Sequence, residues 1–189
     1  EKALEYYDRT LKIKEEVGHK YGIGMTLGNI GIVYCTKGNY EKALEYYDRS
    51  LKIQEEIGDK HGMGNALSSI GNVHYNRAEY NRAAESFEKS LNIQKEIGSK
   101  AIELPTTTYL YLCYRHLGKD YDKQDIHSLI KDAENVEYEV NFRLYQLLDD
   151  ISYLETANKQ VQDKASEMEE ETGKAFLGYP LPTEIIEEW

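Results

Sequence analysis

Groups able to do chemistry are sparse in this sequence, and each has a plain structural reading beside it. Gly22-Ile23-Gly24 has the look of a phosphate-cradling loop, because glycines let backbone N–H groups close on an anion. Gly62-Met63-Gly64 repeats it, and no complete Gly-rich phosphate loop or nucleophile elbow is present. The pair therefore reads as turn chemistry between repeated hairpins. Asp149-Asp150 and Glu169-Glu170-Glu171 offer oxygens to a divalent cation. No spaced oxygen-ligand loop of the calcium type surrounds them, so they read as a solvated acidic face. Cys35 and Cys113 are 78 residues apart, nearly two periods of the repeat described below. At about 20 Å of stack per helix hairpin, they are too distant for a disulfide and read as two small buried or semi-buried thiols. The 5 His are scattered, with no close Cys/His pair, which argues against zinc. No cofactor, no metal and no catalytic residue is expected.

Composition narrows the classes further. Of 189 residues, 40% are hydrophobic and 30% charged, with 3 Pro. That is the profile of a folded protein rather than a disordered tail. No apolar run is long enough for a membrane helix, and 2 Cys cannot make a disulfide framework, so a cytoplasmic location is expected. The net charge of -11 argues against nucleic acid as a partner. Residues 1–100 are electrically balanced and residues 101–189 carry the whole acidic excess.

The organisation is repetitive. Residues 1–20 and 41–60 differ at four positions, namely Thr10/Ser50, Lys14/Gln54, Val17/Ile57 and His19/Asp59, and residues 81–100 keep half of the same positions. The intervening 21–40 and 61–80 share Leu27/Leu67, Ile30/Ile70 and Gly31/Gly71 among others. Tyr40, Ala43, Leu44, Tyr47 and Leu51 fall three or four apart on one helical face, and Leu27, Ile30 and Tyr34 do the same. Gly38-Asn39 reads as a short turn between the two helices and Gly58 as a helix stop.

These residues resemble the tetratricopeptide repeat family. Its pattern of large apolar residue, Leu-Gly, aromatic, Ala, aromatic and small residue is met by Leu27, Ile30-Gly31, Tyr34, Ala43, Tyr47 and Ser50, then by Leu67, Ile70-Gly71, His74, Ala83, Phe87 and Ser90. The glycines let two helices approach and the alanines make room for the facing ring. The 40-residue period resembles the longer repeats of kinesin light chains and bacterial signalling proteins. The resemblance implies an all-α fold, a right-handed superhelical solenoid of antiparallel helix hairpins. The array covers 1–120: a half repeat at 1–20, full repeats at 21–60 and 61–100, and a degenerate third from 101. An acidic helical cap follows at 121–189. In the third repeat the first helix is expected to start at Leu104 or Pro105, Tyr111 replaces the close-contact glycine, and 121–134 reads as the paired helix. Beyond it, 137–149 reads as an amphipathic helix, 151–171 as one long polar helix and 180–189 as a short helix capped by Thr183.

The resemblance also implies that first helices line a concave groove. Its groove positions fall on Met25, Gly28, Ile32, Cys35 and Thr36, on Asn65, Ser68, Asn72, Tyr75 and Asn76, and on Thr108, Leu112, Arg115 and His116. Asparagines hydrogen-bond a peptide backbone without demanding one side chain, and Arg115 with His116 would hold a carboxylate. Gly28 and Ser68 stand where a chaperone-tail clamp needs Lys, so that subtype is set aside. The expected function is non-catalytic protein–protein interaction. The partner is a protein or peptide, or another domain of the same parent chain, as in a signalling enzyme with its kinase, cyclase or protease upstream. Residues 1–20 are a second helix without its first and there is no initiator Met, so further repeats are expected upstream, and the bared N-terminal face is a candidate homodimer surface.

Overall fold

The computed structural model describes residues 2–100, 102–133 and 135–189. Residues 1, 101 and 134, which open the half repeat, open the third repeat and end the expected paired helix, lie outside the described residues. Every regular element among the described residues is a helix: α1 (Lys2–Glu16), α2 (Lys20–Thr36), α3 (Tyr40–Ile57), α4 (Lys60–Asn76), α5 (Tyr80–Ile97), α6 (Glu103–Leu117), α7 (Lys123–Asp132), α8 (Tyr138–Leu148), α9 (Ile151–Ser166), α10 (Glu170–Leu177) and α11 (Pro180–Glu188). α2 with α3, and α4 with α5, form the most extensive helix pairs, and each hairpin packs on the next. The result is an all-α solenoid.

Size complementarity holds each hairpin. A Cβ on Gly31 would lie 2.6 Å from Tyr47 Cε1, and one on Gly71 would lie 2.5 Å from Phe87 Cε1. Tyr47 and Phe87 are buried, as are the alanines one turn earlier, Ala43 and Ala83. The small residues of the pattern do a polar job as well. The Ser50 and Ser90 hydroxyls donate to the Gly24 and Gly64 carbonyls, each at 2.8 Å, which satisfies buried groups that water cannot reach.

Gly22, Gly24, Gly62 and Gly64 are not turn residues. α2 and α4 begin at Lys20 and Lys60, so all four are helical. Their missing Cβ atoms admit side chains from the neighbouring second helices: a Cβ on Gly24 would lie 2.6 Å from Gln54 Nε2, and one on Gly62 would lie 2.5 Å from Gln54 Cδ. Gln54 is thereby wedged from α3 between α2 and α4.

The turns repeat less faithfully than the helices. Gly38 leaves α2 at φ 73°, and Asn39 then accepts the Lys42 N–H to start α3. One period later Ala78 holds the same left-handed conformation at φ 57°, which costs a Cβ-bearing residue about 1–2 kcal/mol. Ala78→Gly is expected to stabilise the chain by about 1 kcal/mol, seen as a rise of roughly 2–4 °C in a thermal melt. An unchanged or lower Tm would contradict this.

Beyond residue 100 the regularity fails. α6 starts at Glu103, close to the expected Leu104 or Pro105. Tyr111 stands in place of the close-contact glycine, stacked on Tyr121 with ring centroids 5.1 Å apart, and its hydroxyl donates to Asp125 at 2.8 Å. A ring between the helices leaves α7 short and only lightly packed on α6. α8 packs on α6 instead, burying Leu112 with Leu144 and Leu147. The expected single helix over 151–171 is two, α9 and α10. Gly173 packs so near the Ala165 carbonyl that a Cβ there would lie 2.6 Å from it, which folds α10 back on α9. Thr183 is not the cap of α11 either: Pro180 opens the helix after Tyr179, and the Thr183 hydroxyl donates to the Leu177 carbonyl at 3.0 Å. Proline suits that first position because its φ is already helical and its missing N–H has no partner to lose. No described helix is long and apolar enough to cross a membrane.

Candidate functional site

Two hollows lie along the face built by the first helices of the hairpins. The first, about 270 Å³, sits between α2 and α4 and is lined by Tyr21, Met25, Ile32, Asn65 and Gln54 among others. Met25 and Ile32 are 49% and 53% exposed, large fractions for apolar side chains. Asn65 Nδ2 is 3.2 Å from His61 Nδ1, while its Oδ1 is buried without a partner. Gln54, itself 2% exposed, also has an unpaired buried Oε1. Both oxygens are closed to solvent as well as unpaired, that of Gln54 lying against Gly62, so they belong to the wall behind the hollow.

The second hollow, about 200 Å³, lies where the ends of α2 and α4 meet α8 and the start of α11. Cys35, Thr36 and Asn76 form its wall on the repeat side, and Tyr138, Glu139 and Arg143 face them. Burial pushes the Cys35 thiol up to about 11, with the Glu139 carboxylate adding to the effect. Cys113 is buried and free, its thiol raised to about 12 by burial.

Between the hollows, the other groove positions named from sequence range from buried to exposed. The Ser68 hydroxyl lies 3.1 Å from Thr106 Oγ1, closing the seam between α4 and α6. Asn72 is half-buried with its Oδ1 unpaired. Tyr75 packs edge-on against Tyr109 at 5.1 Å, and burial raises its hydroxyl to about 12. His116 stacks flat on Tyr80, centroids 4.1 Å apart. Burial first, and Arg115 second, lower its pKa. Arg115, its side chain 45% exposed, donates to the Gln146 carbonyl at the end of α8 and lies 3.5 Å from Asp149. The cause is the helix end itself, whose unpaired carbonyls attract cations. Thr108 and Leu112 are fully or nearly fully buried rather than groove-lining.

Arg143 escaped the sequence reading. Its side chain is 7% exposed. The guanidinium sits over the rings of Phe142, Tyr75 and Tyr109, with the carbon 5.1, 5.5 and 5.7 Å from their centroids. Nε donates to the Tyr109 hydroxyl at 3.3 Å and Nη1 to Gln146 Oε1 at 2.7 Å. Nη1 is also 3.5 Å from Glu184 on α11. Burial works against the charge, but Tyr109 and Glu184 outweigh it and the pKa lies above its ordinary value. The available signal was a lone Arg between Phe142 and Leu144 in an apolar helix. Gln54 was legible too, since it continues the buried spacing of Ala43, Tyr47 and Ser50.

Among the described residues no group of three or more His, Cys, Asp or Glu could hold a metal ion. A profile described as Tetratricopeptide repeat matches residues 1–56 and, overlapping, 22–96. Among solved structures, the Signal Transduction ATPase with Numerous Domains (STAND) protein of Pyrococcus horikoshii, with a tetratricopeptide repeat sensor, matches at TM-score 0.59 and 20% identity over 94% of this chain. The chain spans 26% of that protein. No curated protein sequence matches significantly. With its glycine–aromatic hairpins, its repeated serine bonds and a family profile running through residue 96 of 189, the chain belongs to the tetratricopeptide repeat family.

Proposed function

We propose that the chain is a non-catalytic protein–protein interaction module, and that the hollow between α2 and α4 takes a peptide segment or helix of its partner. The observation that supports this most is the exposure of the large apolar side chains Met25 and Ile32 at the rim of that hollow. A segment entering there covers the apolar rim. A preformed scaffold loses little freedom on binding. Asn76 extends the surface toward the second hollow, and Ser68, Asn72, Tyr75, Arg115 and His116 shape the stretch between.

A second reading is favoured by the solved relative. In it the chain is the sensing part of a longer signalling protein, and the segment it binds belongs to another domain of its own parent.

Peptides selected on the immobilised chain from a random library provide the test. Binding is expected to weaken about tenfold or more, about 1.4 kcal/mol, in Asn65→Ala combined with Ile32→Ser. Titration of labelled peptide by fluorescence anisotropy reads this directly. Peptides that bind both proteins equally would move the site elsewhere.

A further inference from the structure

We propose that the second hollow, between the ends of α2 and α4 and the α8–α11 corner, binds an alkylammonium or guanidinium group. Tyrosines Tyr40, Tyr109, Tyr138 and Tyr179 line it, together with the carboxylates of Glu139 and Glu184. Tyrosine faces attract cations through the ring quadrupole; Tyr109 already faces the Arg143 guanidinium and Tyr138 the Lys164 ammonium, which leaves Tyr40 and Tyr179 for a ligand. This fold uses tyrosine faces so elsewhere: Lys42 lies 5.1 Å from the Tyr34 centroid, Arg49 5.3 Å from that of Tyr46 and Lys119 5.4 Å from that of Tyr114.

The charge of the lining sets the sign of the ligand. Among the described residues Arg143 is the one cation lining it, and its guanidinium is engaged by Tyr109, Gln146 and Glu184. Two carboxylates against one guanidinium leave the hollow negative. Lys164 stands 5.3 Å from the Tyr138 centroid but does not line the hollow. Glu139 accepts the Tyr109 hydroxyl at 2.6 Å through one oxygen, and Glu184 is 48% exposed, so both keep acceptor capacity. An anion entering would meet both carboxylates. A purely apolar ligand would leave Asn76 without a partner, whereas Thr36 already donates to the Ile32 carbonyl at 2.9 Å. At about 200 Å³ the space is below that of drug-sized sites and suits one side chain or a short amine.

The group has two sources, a free amine or a lysine or arginine side chain of a bound peptide. The free-amine case is independent of the peptide reading above.

Agmatine, which carries both cationic groups, is the probe, titrated into the full chain labelled for NMR. Saturable shifts are expected at Thr36, Asn76, Tyr138 and Tyr179. The affinity is expected to fall at least tenfold in Glu139→Gln with Glu184→Gln, and also in Tyr179→Ala, which keeps the test valid if the double variant folds poorly. Neutral n-butanol should not bind. Asn65→Ala with Ile32→Ser should leave agmatine binding unchanged, which separates failure here from failure of the peptide reading. An acetylated Gly-Lys-Gly amide that binds more tightly than agmatine assigns the group to a partner chain, and one that binds more weakly assigns it to a free amine. Non-saturating shifts spread over the surface carboxylates, and unaffected by the variants, would overturn the proposal by showing only diffuse attraction to a chain of net charge -11.

Discussion

Gly31→Ala is expected to destabilise the chain while Gly28→Ala, one turn away on the same helix, stabilises it. At Gly31 the new methyl would lie 2.6 and 2.7 Å from Cε1 and Cδ1 of Tyr47, a ring only 4% exposed and packed among Ala43, Ile70 and Val73. Overpacking a rigid ring costs up to about 3 kcal/mol. The better helix propensity of alanine returns about 1 kcal/mol, so the net loss is about 2 kcal/mol, or roughly 4–8 °C in Tm. At Gly28 the nearest atom is Ser50 Oγ at 3.6 Å, an ordinary contact, and the propensity gain of about 1 kcal/mol remains. Thermal melts of the two variants check this. Shifts of the same sign would mean that helix propensity, not the glycine–tyrosine contact, decides the behaviour of α2.

The second large effect is expected at Arg143. Arg143→Ala should cost about 3 kcal/mol, because the guanidinium fills space under Phe142, Tyr75 and Tyr109 and truncation there leaves a cavity. Arg143→Met should cost about 1 kcal/mol, since a thioether of similar length packs well against rings. The full penalty of stranding a buried charge does not apply, because Glu184 is half-exposed and returns to water. Urea unfolding gives the two values. Hydrogen exchange should rise in α8, α9 and α11 and stay low in α3, since each unit of a solenoid rests on its neighbours alone. Equal losses in both variants would place the role of Arg143 in its charge rather than its bulk.

The legible part of the protein and the illegible part divide near residue 100. Up to there, the main contacts within each hairpin are made again one period later, so the spacing of residue types records them. Gly31 with Tyr47 and Gly71 with Phe87 are one contact written twice, as are Ser50 on Gly24 and Ser90 on Gly64. The helix ends at Gly58 and Gly98 follow from the same repetition. Gly22 and Gly24 were misread because a glycine pair looks alike in a turn and in a helix that admits a neighbour's side chain. The side chains that enter beside them, Lys14 at Gly22 and Gln54 at Gly24, distinguish the two.

Past residue 100 every contact is made once, between segments with no shared pattern. Tyr109 with Glu139, Arg115 with the end of α8 and Arg143 with Glu184 join residues 30 to 41 apart that nothing in the local sequence pairs. The family, the all-α class and the hairpin geometry were determined by the sequence alone, because short-range size and polarity enforce them. The second hollow, the burial of Arg143 and the engagement of Arg115 were decided by tertiary structure. They depend on how α8 and α11 settle against the last hairpins, and that is set by packing among side chains far apart in the chain.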